Sequence, residues 1–401
     1  MPPFNLDTCA RPNILTLKPY RCARDDYADN GTNILLDANE NAYGPCLSPN
    51  ALSLSSSLHR YPDPHQRPLK QLLCNLRNSD SSESLPLTPD HLFLGVGSDE
   101  AIDALLRCFC EPGRDRILTC PPTYGMYAVS AHINNVAIHP VPLLDAPSFA
   151  LDLPAIYAAL DASATSPNPI KLIYLCSPGN PTASLLPRAD IEHILAHPSW
   201  NGILILDEAY IDFAPDASSL APLVSTHQNL VVMQTLSKAF GLAAIRLGAA
   251  FASPPVATLL NSLKAPYNIS APTSNLAVAA LSPDGLKIMH RNRCQISDQR
   301  NRLLRQLPSI PGIGRLRGGT DANFLLYEIL GPDGSPDNAT AQALYERLAQ
   351  EKGLVVRFRG NEHGCLACLR ITIGTADEVT CLLDALRSQL ADIRGTSQLQ
   401  Q

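Results

Sequence analysis

Apolar runs alternate with longer helical tracts between residues 92 and 235, and this alternation constrains the fold more than any other feature of the chain. Strands that alternate with helices form a mostly parallel sheet, with helices packed on both of its faces. We therefore predict an α/β fold, with a helix at 99–110 after the first strand. The predicted strands are 92–96, 116–120, 170–175, 203–206 and 230–234.

The chain of 401 residues exceeds the usual size of one domain. We predict an N-terminal arm at 1–50 without clear periodicity, a large domain at 51–281 and a smaller C-terminal α+β domain at 282–401. A Ser-rich stretch at 78–89 is expected to be a surface insertion. The small domain is expected to contain a helix through 291–307, strands near 323–328, 354–358 and 369–373, and helices at 339–352 and 376–391.

Composition and charge argue against several classes of protein. A hydrophobic content of 45% is sufficient for a folded core, while a net charge of −6 and a pI near 5.9 argue against a nucleic-acid partner. No apolar stretch is long enough to span a membrane, and the first residues lack the apolar core of a signal peptide. The 12 cysteines lie among apolar residues, which is typical of buried thiols in a reducing compartment. We expect a cytoplasmic enzyme.

Two charged residues, Asp207 and Lys238, follow two of the predicted strands. Asp207 closes the apolar run 203–206, and Lys238 opens a Ser- and Gly-rich turn after the run 230–233. Residues at such strand ends in an α/β sheet face the crevice in which these folds bind ligands. A lysine amine can form a Schiff base there, and a carboxylate can keep a pyridine nitrogen protonated. The pair therefore predicts a pyridoxal phosphate site.

Segment 95–101, Gly-Val-Gly-Ser-Asp-Glu-Ala, joins a predicted strand to a helix. Its small residues would let backbone N–H groups approach a phosphate, although a plain helix cap by Ser98 or Asp99 explains the segment equally well. The third glycine of a dinucleotide fingerprint is missing.

Arginine and tyrosine side chains add further candidates. Arg246 could clamp the cofactor phosphate with two hydrogen bonds, while Arg357 and Arg370 could hold anionic groups of the substrate. Taken singly, each arginine is more often a surface ion-pair partner. Tyr124 could stack on a pyridine ring or simply fill the core.

Two other motifs have competing explanations. The run 203–208 also matches nucleotide hydrolases, but the chain has no G-x-x-x-x-G-K-[ST] motif to bind their phosphates. Cys365 and Cys368 lack the second ligand pair that a structural zinc site needs. Two buried thiols are therefore the favoured explanation, and no metal site is predicted.

Seven segments together resemble a known family. They include Ser-Pro-Gly-Asn-Pro-Thr at 177–182, Asp-Glu-Ala-Tyr at 207–210 and Ser-Lys-Ala-Phe-Gly at 237–241, and the others lie at 36–45, 60–63, 121–127 and 369–372. In this order they resemble the histidinol-phosphate aminotransferases, which are fold-type-I enzymes dependent on pyridoxal phosphate. The likeness runs from about residue 34 to about residue 390. Its departures, which remove no catalytic group, are Ala42, Ala183 and Ala244 where proline or glycine is usual.

The resemblance implies a role for each matching residue. Lys238 would bind the cofactor aldehyde and shuttle a proton, and Asp207 would keep the ring nitrogen cationic. Asn180 and Tyr210 would bond the ring hydroxylate, and Tyr124 would stack on the ring. The cofactor phosphate would be held by Ser98, Asp99, Glu100, Thr235, Ser237, Arg246 and Tyr61 of the partner subunit. The substrate would be held by Tyr20, Asn41, Asn323, Arg357 and Arg370.

The implied reaction is a reversible transamination between L-histidinol phosphate and 2-oxoglutarate, which gives imidazole acetol phosphate and L-glutamate. The resemblance also implies a homodimer with shared active sites. An aromatic aminotransferase or a phosphoamino-acid decarboxylase would share Lys238 and Asp207, so only the substrate discriminates between them. A non-catalytic regulator of this fold usually carries an added DNA-binding module, and no basic helical segment precedes Asn39.

Overall fold

The computed structural model describes residues 4–17, 58–78, 85–216 and 218–398, and its larger sheet has seven strands. In chain order these strands are β1 (Leu92–Val96), β2 (Arg116–Thr119), β3 (Ala137–Pro140), β4 (Ile170–Cys176), β5 (Ile203–Asp207), β6 (Leu230–Thr235) and β7 (Leu247–Ala252). Across the sheet their order is β1-β7-β6-β5-β4-β2-β3. Neighbouring strands run parallel except at β7, which is antiparallel to both β1 and β6.

Helices cover both faces of this sheet. Leu92 and Leu94 belong to one apolar core, whereas Phe93 between them belongs to a second, because successive side chains of a strand point to opposite faces. The surrounding helices are α1 (Leu6–Cys9), α2 (Pro12–Leu15), α3 (Arg67–Arg77), α4 (Gly97–Phe109), α5 (Met126–Ile133), α6 (Leu153–Ala164), α7 (Arg188–Leu195), α8 (Pro254–Leu263) and α9 (Ala271–Ala280).

A smaller antiparallel sheet follows. Its strands are β8 (Ile313–Leu316), β9 (Phe324–Ile329), β10 (Arg357–Phe358) and β11 (Cys368–Thr372), in the order β10-β11-β9-β8. Helices α10 (Pro283–Gln306), α11 (Asn338–Lys352) and α12 (Ala376–Gln398) accompany it. The sequence determines both ends of helix α11. The side chain of Asp337 accepts hydrogen bonds from N–H groups of the first turn, and Gly353 ends the helix by adopting the left-handed backbone conformation.

The predicted α/β fold is confirmed, as are a mostly parallel large sheet and a smaller unit with its own sheet. The two sheets lie on either side of the proposed boundary at residues 281 and 282, and that boundary remains our proposal. Most of the arm at 1–50 and half of the Ser-rich stretch at 78–89 lie outside the described residues. In the described part of the chain, no helix is both long and apolar enough to cross a membrane.

Some elements differ from the expectation. The strands β3, β7 and β8 were not predicted, and the strand expected at 354–358 is limited to Arg357–Phe358. The N-terminal arm contains two one-turn helices, whose Cys9 and Ile14 are buried in the core formed with α4 and α8. Their short length explains why the sequence shows no periodicity there. Cys365 and Cys368 are buried thiols, as expected.

The ends of three neighbouring strands define the place where a ligand can bind. β4, β5 and β6 run parallel, so the segments after Cys176, Asp207 and Thr235 emerge at the same edge of the sheet. β5 and β6 are buried along their whole length, and β4 is buried except at Lys171. The side chains at these strand ends are therefore held in place by the buried sheet.

Candidate active site

A pocket lies at this edge of the sheet, between the ends of β4, β5 and β6 and the first turn of α4. Its volume is about 160 Å³. Three of its residues, Cys176, Ala209 and Ala243, were not singled out from the sequence. The other lining residues are all predicted cofactor ligands, namely Ser98, Asp99, Tyr124, Asn180, Asp207, Tyr210, Thr235, Ser237, Lys238 and Arg246.

Asp207 provides the buried negative charge of the pocket. Its side chain is only 3% exposed. Oδ2 accepts a hydrogen bond from the hydroxyl of Tyr127 at 2.6 Å, and Oδ1 accepts one from the backbone N–H of Ala209 at 3.1 Å. Burial raises the pKa of Asp207 to about 6, although both hydrogen bonds act in the opposite direction. A cation placed beside this carboxylate would restore its charged form.

Lys238 provides the amine. Its Nζ lies 5.4 Å from the centre of the Tyr210 ring. Burial, followed by the nearby positive charge of Arg370, lowers the pKa of Lys238 below its ordinary value. The neutral amine, which is the form that attacks a carbonyl or accepts a proton, is therefore more accessible on Lys238 than on a lysine with an ordinary pKa.

The first turn of α4 comes unusually close to the segment that carries Arg246. A Cβ on Gly97, whose φ is +74°, would lie 2.5 Å from Arg246 Nη2, and one on Gly248 would lie 2.3 Å from the backbone nitrogen of Ser98. Arg246 itself adopts a left-handed φ of 52°. Its Nη2 lies 3.6 Å from Asp99 Oδ2. The Arg246 guanidinium therefore lies beside the N-terminus of α4, and both groups favour the binding of an anion.

Two predicted phosphate ligands are placed differently from the rest. The carboxylate of Glu100 accepts hydrogen bonds from the backbone N–H of Val96 and from the side chain of Asn268, so it is directed at its own strand and loop. Tyr61 does not line the pocket within the described part of this subunit. Its ring is 56% exposed and stacks on Tyr267, with 4.6 Å between ring centres.

The predicted substrate residues lie around the small sheet. Arg370 Nη1 donates to Asn180 Oδ1 at 2.5 Å, and the guanidinium lies 5.1 Å from the Phe324 ring centre. Arg357 is exposed and stands directly opposite Arg370 in the antiparallel ladder. The backbone carbonyl of Asn323 accepts from Ile373 N–H at 2.9 Å. The remaining candidates, Tyr20 and Asn41, lie outside the described residues.

Two residues that act on Asp207 and Arg370 were not predicted from the sequence. Tyr127 binds Asp207, and the only available signal was its place one helical turn after Tyr124 in the segment 121–127. Arg359 directly follows β10, and its backbone N–H donates to the carbonyl of Cys368 at the start of β11. Its positive charge lowers the pKa of Arg370 more than that of Arg357 does, after the effect of burial.

Comparison with known proteins agrees with this geometry. Residues 31–386 match the family model for aminotransferases of class I and II. The histidinol-phosphate aminotransferase of Schizosaccharomyces pombe is 52% identical over 392 residues, which cover 97% of this chain and 98% of the relative. The histidinol-phosphate aminotransferase of Saccharomyces cerevisiae is 47% identical, covering 96% and 98% of the two chains.

Solved structures show the same fold. The histidinol-phosphate aminotransferase of Sinorhizobium meliloti, crystallised with pyridoxal-5'-phosphate, matches with a TM-score of 0.73 at 24% identity, over 88% of this chain and 90% of that one. The enzyme of the same name from Clostridium acetobutylicum matches with a TM-score of 0.69 at 22% identity, over 84% and 92%.

The fold and the family match define the class of protein. The chain belongs to the aminotransferases of class I and II, which are enzymes that depend on pyridoxal phosphate. Within this class, identities of 47% to 52% over nearly the full length place it in the histidinol-phosphate aminotransferase family.

Proposed function

We propose that this protein transfers an amino group reversibly between L-histidinol phosphate and 2-oxoglutarate, giving imidazole acetol phosphate and L-glutamate in L-histidine biosynthesis. The observation that carries the proposal is that the buried Asp207 and the amine of Lys238 line one pocket, to which Arg370 is joined by its hydrogen bond to Asn180. The relatives of the same family support the choice of substrates.

The residues present fit pyridoxal phosphate. Bound in this pocket, the cofactor would supply a cationic ring that draws electrons from the substrate Cα. The buried carboxylate of Asp207 would hold the ring nitrogen, and Tyr124 would lie against the ring face. A side chain at Gly97 would collide with the Arg246 guanidinium, so the glycine lets the first turn of α4 and Arg246 lie close together. The phosphate would be held there by Arg246, the hydroxyls of Ser98, Thr235 and Ser237, and the backbone of residues 98–100.

Lys238 would move the proton of the reaction. Its lowered pKa favours the neutral amine, so with the cofactor bound Nζ would accept the proton of the substrate Cα and shuttle it during the transfer. Tyr210 and Asn180, which line the same pocket, would bond the ring hydroxyl oxygen. Both residues are buried, and the lower local dielectric strengthens charge interactions near them.

The arginines of the small sheet would bind the anionic substrates. Arg370 would take the carboxylate of glutamate and also contribute to holding histidinol phosphate, and the exposed Arg357 would contact the phosphate. Within the described part of the chain the buried Nε of Arg370 has no hydrogen-bond partner, and such an anion could accept its hydrogen bond. Asn323, Tyr20 and Asn41 remain proposed members of this subsite.

We also propose a homodimer in which Tyr61 reaches the phosphate of the partner subunit. Helix α9 supports a protein interface, because its sequence is largely apolar while only Ala277 is buried and Leu276 is 42% exposed. Tyr61 is exposed in the single subunit and lies away from its own pocket. The cytoplasmic location stays a prediction.

Absorbance spectra and turnover of the purified protein test the proposed activity. With cofactor bound, histidinol phosphate alone should shift the absorbance of the cofactor, and 2-oxoglutarate should reverse the shift. Turnover of histidinol phosphate should exceed that of phenylalanine by at least about 10-fold, since a side chain without charge leaves the arginines of the subsite without an anionic partner. Faster turnover of phenylalanine, or release of carbon dioxide from threonine phosphate, would assign the protein to one of the two alternative activities.

A further inference from the structure

Tyr127 stands behind the carboxylate that faces the proposed cofactor ring. It lies in the first turn of α5, is fully buried and donates its hydroxyl to Asp207 Oδ2 at 2.6 Å. Its ring stacks on Tyr174, with 4.9 Å between ring centres. The hydroxyl of Tyr174 is engaged elsewhere, with the backbone carbonyl of Ile102 at 3.0 Å. The packing leaves the Tyr127 hydroxyl aimed at Asp207.

Asp207 therefore has one donor on each oxygen, from Tyr127 and from the N–H of Ala209. Donors of this kind stabilise the ionised carboxylate and weaken its affinity for a proton. Two charged groups near the carboxylate act in opposite directions. Asp99 of α4 raises the pKa of Asp207, whereas Lys238, which follows β6, lowers it. The Cys176 thiol at the end of β4 is buried beside the carboxylate. The hydrogen bond from the Tyr127 hydroxyl, at 2.6 Å, is shorter than the one from the Ala209 N–H, at 3.1 Å.

We propose that Tyr127 is a positioning residue whose hydroxyl keeps the proton shared by Asp207 and the cofactor ring on the ring nitrogen. This inference rests on the proposed function. Without the hydroxyl, Asp207 becomes a stronger base, and the same proton moves from the ring nitrogen to the carboxylate oxygen. The pair neither gains nor loses a proton, but the neutral ring draws electrons from the substrate less strongly.

Tyr127→Phe and Tyr174→Phe form a matched pair for the test. Both remove one hydroxyl from two stacked, fully buried tyrosines, but only the first removes a donor to Asp207. Each holoenzyme is loaded with pyridoxal phosphate that carries ¹⁵N in the ring, and the ring-nitrogen shift is followed in a pH titration. We expect Tyr127→Phe to move the resonance toward that of neutral pyridine and to slow the half-reaction with glutamate by about 10- to 100-fold. Tyr174→Phe should keep the wild-type resonance.

A second variant covers the case in which Tyr127→Phe does not fold. Incorporation of 3-fluorotyrosine at position 127 keeps the ring and gives a more acidic, stronger donor, so the shared proton should lie on the ring nitrogen at least as fully as in the wild type. A resonance displaced toward that of neutral pyridine in the fluorinated protein, or an unchanged resonance in a folded Tyr127→Phe, would overturn the inference. If the wild-type protein itself does not bind pyridoxal phosphate, the proposed function fails first, and with it this inference.

Discussion

Arg370 of β11 and Asn180 of the segment after β4 form a hydrogen bond that joins the small sheet to the pocket, with 2.5 Å between Nη1 and Oδ1. Phe324 of β9 supports the same guanidinium from one side. The Nε of Arg370 has no hydrogen-bond partner among the described residues. One edge of the guanidinium is thus anchored at the cofactor site, and another donor remains for an anionic ligand.

Arg370→Lys should lower kcat/KM for both glutamate and histidinol phosphate by about 100-fold. Lysine keeps the charge but loses the planar pair of donors that can bind Asn180 and a carboxylate together. Stopped-flow absorbance of each half-reaction measures the effect. Arg302→Lys on α10, which changes an arginine bonded to Ala376 and Thr380 on the surface, is the control and should react normally. Near-normal rates for Arg370→Lys would remove Arg370 from the substrate subsite.

Arg357 and Arg359 should differ in their effect on the two substrates. Arg357→Ala is expected to impair the half-reaction with histidinol phosphate more than the one with glutamate, because the exposed Arg357 would contact only the phosphate. Arg359 is bonded to Glu362 at 2.6 Å and acts on Arg370 through its charge, so Arg359→Ala should affect both substrates to a similar degree. A larger defect with glutamate in Arg357→Ala would contradict this division of roles.

Asp207→Asn should abolish most of the activity and yet stabilise the cofactor-free protein. Burial raises the pKa of Asp207 to about 6, above the ordinary value of 3.8, so folding favours the protonated acid. Stability from this group is therefore present below pH 4 and lost as the pH rises through about 6. At pH 7 the neutral amide should gain on the order of 2–3 kcal/mol in the free energy of unfolding over the wild type.

Denaturant unfolding of the two cofactor-free proteins at pH 4 and pH 7 measures this difference. Asp284→Asn, in a highly exposed pair with Lys287, is the control and should show no such dependence on pH. Equal stability of Asp207→Asn and the wild type at both pH values would show that burying the charged carboxylate does not destabilise the cofactor-free protein. Normal turnover by the amide at saturating cofactor would refute its proposed role at the ring nitrogen.

Most of the large sheet was predictable from the sequence, because strands buried on both faces appear as continuous apolar runs, and ten of the proposed cofactor residues line one pocket at its edge. β7 was not, since Gly248 and three alanines give it little of the composition typical of a strand. The contact of Tyr127 with Asp207 spans 80 residues and depends on how α5 is rotated against β5. Arg359 follows β10, so its position relative to Arg370 depends on the pairing of β10 with β11, and no local sequence pattern determines that pairing.

Mixed dimers should show whether Tyr61 acts in the partner's site. Lys238→Ala and Tyr61→Phe are each expected to be strongly impaired as homodimers. After subunit exchange, one site of each mixed dimer would collect both defects and the other would have neither, so activity should return at one site in two. If Tyr61 serves its own subunit, every site keeps one defect and subunit exchange restores no activity.

The most direct test of the account is to find which lysine binds the cofactor and whether histidinol phosphate releases it. Borohydride reduction followed by peptide mapping should attach the cofactor to Lys238. Pretreatment with histidinol phosphate should abolish this label, and subsequent addition of 2-oxoglutarate should restore it. The competing amines are Lys70, whose pKa is lowered to about 8 by burial, and Lys171 and Lys264, which donate to backbone carbonyls elsewhere. A label on any of these three, or a Lys238 label unaffected by histidinol phosphate, would contradict the proposed function.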